Sequence, residues 1–385
     1  MASLSIQTII KSNGERYCLL VDSITGLPLF YPNLFMTTQI RNASLSFSAM
    51  ESALVAISVL LRFAEDAKID LNERFGRMDY LLMHEVEALA DYCQLKLRNT
   101  ADKSRKIVSI AHKKERLVAS QTTYVRLTHI VRYFMWLASI LSPRLAKDDN
   151  DRLSKMIEMI KARRPVKKGR NDGVNQKGLT DAQIDVLFEI FRPDSELNPF
   201  DRRDVCVRNR LIFLMLFHLG IRSGELLNIR IRDIDFASNQ IVIARRADDK
   251  SDPRQDQPLV KTLDRRLPAK DTLMQEIHDY VLKYRKSVPN AQRHDFLFVT
   301  HKPGPTVGQP ISKSSYNKIM TLIREVSPDL YSFTGHALRH KWNERFSELI
   351  DSRDNPQGNR MKIILPREAP LSQRESHLKM PLVVV

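Results

Sequence analysis

A mainly α chain with a small β-sheet, an α+β protein of more than one domain, is what this sequence predicts, on three observations. Apolar residues recur at helical spacing through most of residues 46–164 and again from Leu179 onward. In the second half a single pair of alternating segments, QIVIARRA and LVKTLDRRLP, reads as two joined strands. At 385 residues the chain is long enough for two or three cores of ordinary size.

Residues 1–40 carry the β-like stretches RYCLLVD and LPLFYP, with Gly26 supplying a turn between them, so a small β-rich N-terminal element is expected. From Ser46 the period changes, and Met50, Leu54, Ile57 and Leu61 fall on one helical stripe. Helices are also expected in MHEVEALADYCQLKLR, in TTYVRLTHIVRYFMWLASIL and, more weakly, in DRLSKMIEMIKARR. Together residues 41–164 read as a helical domain with basic residues spread through it. Residues 165–178, rich in Gly, Lys and Arg, read as a basic linker, either a solvated loop or a strap across a phosphate backbone.

A further domain, residues 179–350, opens at LTDAQIDVLFEIF, where Thr180 and Gln183 have capping-box spacing. The apolar helix RNRLIFLMLFHLG follows and is stopped by Gly220, and IRSGELLNI then forms a short helix with Arg222 and Glu225. After the two strands, joined by the polar turn DDKSDPRQDQP, come a helix over 270–286, a short strand DFLFVT, a helix over 312–326 and a helix through FTGHALRHKW. Residues 351–385 show no helical stripe and are expected to be an irregular tail.

Lys and Arg number 61 against 45 Asp and Glu, a formal net charge of +16. Such an excess favours polyanions through counterion release, nucleic acid first and an anionic membrane surface second. The longest apolar run, residues 211–219, is interrupted by His218 and falls far short of the roughly 18 residues that span a bilayer. The first residues lack the basic start and apolar core of a signal peptide, so a cytosolic protein is expected. Cys18, Cys93 and Cys206, widely spaced and odd in number, exclude a disulfide framework and a cysteine zinc module and read as packing residues.

In FTGHALRHKW, His336, Arg339 and His340 could hold a metal, hold a phosphate or form a polar helix face. His336 and His340 have the i, i+4 spacing of a zinc pair, but no Glu lies between them to act as base, and Arg339 would repel a dication. Neither metal nor cofactor is expected, and His340 reads as a structural or DNA-facing histidine. Arg222, Lys261, His336 and Arg339 come from separate stretches, and all can carry or share positive charge. A phosphodiester under displacement gathers negative charge on its non-bridging oxygens. Forked guanidiniums can grip those oxygens, and a lysine or imidazole can hand a proton to the leaving oxygen. Against this, Arg222 with Glu225 could be an ordinary helical ion pair, and Lys250 competes with Lys261 on the same hairpin.

GIRSGELLNIRIRDID, VKTLDRRLP and GHALRH resemble, in order and spacing, the arginine box, the hairpin lysine and the H-x-x-R box of the tyrosine recombinases, the phage integrase family. The resemblance covers about residues 41–350 and implies a helical core-binding domain and a catalytic domain that clamp double-stranded DNA, often as a tetramer. It also implies that Arg222 and Arg339 bind the scissile phosphate, Lys261 protonates the 5′-hydroxyl leaving group, His336 serves acid/base transfer and Glu225 orients the arginine box. Members of the family cut DNA with a tyrosine downstream of H-x-x-R. Here the last of the ten tyrosines is Tyr331, upstream of His336. The expectation is therefore a recombinase truncated or frameshifted after about residue 350, its catalytic domain incomplete, able to bind phosphate but not to form the phosphotyrosine link. The alternative is a non-catalytic DNA-binding remnant that competes for recombination sites. A metal-dependent phosphodiesterase is a distant third.

Overall fold

A computed structural model describes residues 4–43, 46–96, 117–142, 147–166, 178–260 and 262–354. The chain divides into unit 1, Met1–Val174 with Arg246–Gln257, and unit 2, Asn175–Arg245 with Pro258–Val385. The architecture is mainly helical with two small antiparallel sheets, as the periodicities predict. The basic linker expected at 165–178 and the tail at 351–385 lie largely outside the described residues.

Unit 1 opens with a hairpin of β1 (Leu4–Ile10) and β2 (Arg16–Asp22), in register from Leu4 opposite Asp22 to Ile10 opposite Arg16. Alternation along β2 sends Cys18 and Leu20 into the core. LPLFYP does not form a strand: after one bridge between Val21 and Pro28, the chain becomes α1 (Phe30–Phe35) and a π-helical turn (Met36–Arg41). Pro32 falls in the first turn, where its missing N–H costs no helical bond. Buried Asn33 then closes against β2, accepting from the Leu20 N–H at 2.9 Å and donating to the Leu20 carbonyl at 2.8 Å.

The core of unit 1 is α2 (Phe47–Asp66) packed on α5 (Ser120–Leu141), with α3 (Leu71–Gly76), α4 (Met83–Tyr92) and α6 (Lys147–Ala162) around them. Met50, Leu54 and Ile57 of the expected stripe are buried, but so are Ala53, Ala56, Val59 and Leu60. By length and composition α2 could cross a membrane, and 56% of its most apolar window is buried inside the structure. Its apolarity is that of a helix enclosed on several faces. All three cysteines are free and buried, Cys18 and Cys93 here and Cys206 in unit 2.

Unit 2 is built on α8 (Arg203–Leu219), whose residues Leu211 to Leu216 are all buried. Before it, α7 (Asp181–Ile190) starts with the expected capping box. Gln183 N–H donates to the Thr180 hydroxyl at 3.2 Å, and Thr180 N–H to the Gln183 side chain at 2.9 Å. Then come the short α9 (Ser223–Leu226) and a sheet in the order β3 (Ile234–Asp235), β4 (Gln240–Ile243), β5 (Arg265–Pro268). The helix expected over 270–286 begins as α10 (Asp271–Asp279) and changes pitch into a π-helical stretch (Tyr280–Tyr284) and a 3-10 turn (Arg285–Ser287). DFLFVT makes only isolated bridges, Phe296 with Arg230 and Val299 with Pro310. Its four apolar residues, Phe296 to Val299, are all buried, so their run reports burial on both sides instead of a paired ladder. α11 (Lys313–Val326) and α12 (Gly335–Asp354) complete the unit, and α12 packs on α8.

The buried imidazole of His301 bridges Asp204 at 3.1 Å and the Tyr280 hydroxyl at 3.0 Å. Burial first, then the nearby Arg208 charge, pushes its pKa down to about 4. An unfolded histidine titrates near 6.5, so between these values the unfolded chain binds the extra proton and stability falls as pH falls. His301→Gln should therefore flatten the loss of thermal stability between about pH 6.5 and 4 seen in the parent chain, read as Tm against pH. Parallel Tm profiles would refute this.

Candidate phosphate-binding site

Three of the candidate residues, Arg222, Glu225 and Arg339, come together around the end of α8. Gly220 terminates that helix with φ +58, a left-handed conformation natural to glycine. The Trp342 ring of α12 lies where a Gly220 side chain would begin, and its indole N–H donates to the His218 carbonyl at 2.9 Å. This seats α12 on α8. It brings the Arg339 guanidinium into a hydrogen bond with the Gly220 carbonyl, two residues before Arg222.

Arg222 lies just before α9 and not on a helical face, the position at which sequence spacing placed its pairing with Glu225. Its N–H donates to Glu225 Oε2 at 3.1 Å and its guanidinium to Oε1 at 3.3 Å. The Glu225 carboxylate is buried and collects further donors: Arg265 at 2.7 Å and the Thr262 hydroxyl at 2.9 Å. Arg265 also bonds Thr262 at 2.6 Å. Burial alone would raise the Glu225 carboxyl, but the bonds from Arg265, the Arg222 N–H and Thr262 outweigh it and hold the pKa below the ordinary value.

Arg339 is half-buried, and its pKa is lowered by burial first and the charge of Arg222 second, with Glu225 opposing. Two guanidiniums near enough to feel each other face a site whose buried carboxylate is already engaged by Arg265. That leaves net positive charge. Arg222 keeps 40% of its side chain exposed, so its remaining donors are open to an anion.

His336 is exposed in the first turn of α12, and its ring meets that of half-buried His340 edge-on at 4.4 Å between centroids. Among the described residues no group of three or more His, Cys, Asp or Glu is arranged to hold a metal ion. Lys261 lies outside the described residues, but both its neighbours are placed. Val260 is buried, and Thr262 is bonded to Glu225. The preceding Leu259 carbonyl sits against Gly224, where any side chain would stand 2.8 Å from it.

Arg265 and Thr262 were not anticipated as site residues, because each reads in isolation as a solvated strand position. Tyr331 is 80% exposed on the loop before α12.

The sequence pattern of the phage integrase family matches residues 179–349, the segment holding all of these residues. That segment belongs to the family. Its relatives include Transposase A from transposon Tn554 of Staphylococcus aureus, 29% identical over 136 residues, 34% of this chain and 34% of the transposase. Tyrosine recombinase XerC of Staphylococcus aureus is 25% identical over 158 residues, 41% of this chain and 43% of that protein. The chain thus spans about a third to two fifths of the length of the curated relatives it matches. Among solved structures, a Tn1549 transposon integrase in complex with circular intermediate DNA is 16% identical, covering 77% of this chain and 87% of its own, at a TM-score of 0.43. XerH site-specific recombinase bound to difH substrate is 14% identical over 84% of each chain, at a TM-score of 0.40.

Proposed function

We propose that this phage integrase family protein binds double-stranded DNA in the cytosol and grips a phosphodiester with Arg222 and Arg339. The observation that supports this most is the pair of neighbouring guanidiniums, one on the Gly220 carbonyl and one braced by a carboxylate that Arg265 already engages. Like charges so placed are costly without an anion between them, and a phosphate offers the oxygens that forked donors fit. In this reading Glu225 holds Arg222 in orientation, Lys261 protonates the 5′-oxygen as it leaves and His336 shuttles the proton. His340 supports His336 through the edge-on ring contact. The work needs neither metal nor cofactor, and the copies assemble on DNA as homo-oligomers.

Strand cleavage requires a nucleophile besides these cations, and within residues 179–349 every tyrosine lies before His336. We assign this segment phosphate recognition, and a non-catalytic occupant of recombination sites is the form we propose for it. The test is a nicked suicide duplex incubated with the protein and run on a denaturing gel. Salt-sensitive binding with no covalent adduct is expected. An adduct mapped by mass spectrometry to any tyrosine would overturn the assignment, and to Tyr331 would name the nucleophile.

A further inference from the structure

Glu225 is 1% exposed, and Arg222 and Arg265 share its carboxylate on unequal terms. Arg265 sets a fork on it. One guanidinium nitrogen donates to Oε2 at 2.7 Å, and the other reaches Oε1 at 3.4 Å while bonding the Thr262 hydroxyl at 2.6 Å. Thr262 in turn donates to Oε1 at 2.9 Å. The Arg222 guanidinium makes a single bond of 3.3 Å to Oε1, longer than the backbone N–H of the same residue makes to Oε2, 3.1 Å. Charge-assisted bonds are strongest at about 2.7–2.9 Å, so Arg265 is the side chain that holds the carboxylate. Burial raises the Glu225 carboxyl; in opposing it the Arg265 bond comes first, and Arg222 follows through its N–H.

The strand presets Arg265 for this. Arg265 lies opposite buried Ile243 of β4, and alternation along β5 leaves Arg265 and Leu267 half-buried while Arg266 faces solvent. Arg222 stands instead at the cap of α9, one turn from Glu225, with 40% of its side chain exposed. Its backbone already ties the carboxylate, so the guanidinium need only fold back to close a fork of its own on Glu225. A guanidinium spent in that way keeps fewer donors for a phosphate.

We propose that Arg265 is a positioning residue of the phosphate site. By occupying the Glu225 carboxylate with its own fork, it prevents that carboxylate from capturing Arg222 and leaves the Arg222 guanidinium available to an anion. The inference rests on the reading of Arg222 as a phosphate-binding residue.

The test uses the full chain, with every variant held well below its Tm. Duplex binding is followed by fluorescence anisotropy over a salt series. Modification of Arg222 by phenylglyoxal, without DNA, is followed by mass spectrometry. Arg265→Met should weaken binding by about tenfold and lower the salt slope by about 0.9, the loss expected of one phosphate contact. It should also slow modification of Arg222 by about threefold, in keeping with a new, partly exposed ion pair. Adding Glu225→Gln to Arg265→Met should recover most of both losses, because a neutral amide does not draw in a guanidinium. Adding Arg265→Met to Arg222→Ala should cost no further affinity. Additive losses in that pair, without recovery from Glu225→Gln, would put Arg265 on the phosphate itself and overturn the inference. Parent-level binding and parent-level modification in Arg265→Met would do the same.

Where Arg265→Met fails to fold, two gentler variants replace it. Arg265→Lys keeps the charge and loses the fork, and Thr262→Val removes the 2.9 Å donor to Oε1. Each should move both readouts the same way by a smaller amount, and parent-level values in both overturn the inference. Arg222→Ala with the affinity and slope of the parent overturns the reading it rests on, while the modification data still decide whether Arg265 keeps that guanidinium free.

Discussion

Glu225→Ala should lower the stability of the chain by about 2–4 kcal/mol, the largest effect of any single change at the site. Removing one partner of a buried ion pair costs roughly 3–5 kcal/mol because the other charge is left uncompensated. Here the guanidiniums of Arg222 and Arg265 keep 40% and 29% of their side chains exposed, so water screens part of that penalty. Glu225→Gln keeps the shape and loses the charge, and it should fall between Ala and the parent. The carboxyl is held below its ordinary pKa in the fold, so its contribution is fully present above the unfolded value of about 4.3 and is lost as pH falls through the folded one. Urea midpoints at neutral pH and near pH 3 measure both effects, and the gap between parent and Glu225→Gln should close in acid. Equal midpoints at neutral pH would mean the carboxylate is not the brace that the geometry makes it.

Arg222→Ala and Arg339→Ala should each weaken duplex binding by about tenfold to a hundredfold, since a hydrogen bond to a charged group contributes roughly 1.5–3 kcal/mol and 1.4 kcal/mol is a factor of ten. Each should also reduce the slope of log affinity against log salt by about 0.9 if it contacts one phosphate. Arg339→Lys should recover the slope but not the affinity, because a lysine keeps the charge and loses the fork that serves the Gly220 carbonyl and an anion together. Fluorescence anisotropy over a salt series reads both quantities. A variant with parent affinity and parent slope removes that arginine from the site.

Much of this architecture was legible in the residues. Thr180 with Gln183 announced a helix start, Gly220 announced a helix stop, and the burial of α2 and α8 follows the apolar period of their sequences. Arg222, Glu225 and Arg339 were marked by their boxes, and the structure brings them to one place. What stayed hidden depends on partners far along the chain. Arg265 meets Glu225 across 40 residues, and nothing local distinguishes it from Arg266, its solvent-facing neighbour. Asp252, Arg254 and Gln257 lie in a stretch whose composition reads as a solvated turn, yet all three are buried, and the guanidinium of Arg16 bonds the carbonyls of Asp252 and Arg254. The helix α1 was masked by Pro32, which reads as a breaker until its place in the first turn is known.

Gly220 touches no expected ligand, yet it has three tasks: its backbone turns left-handed, its bare α-carbon admits the Trp342 ring, and its carbonyl receives Arg339. The spacing of the two arginines is therefore gauged by a residue with no side chain. Alanine there would disturb all three tasks at once, so any redesign of this site has one position that it must leave untouched.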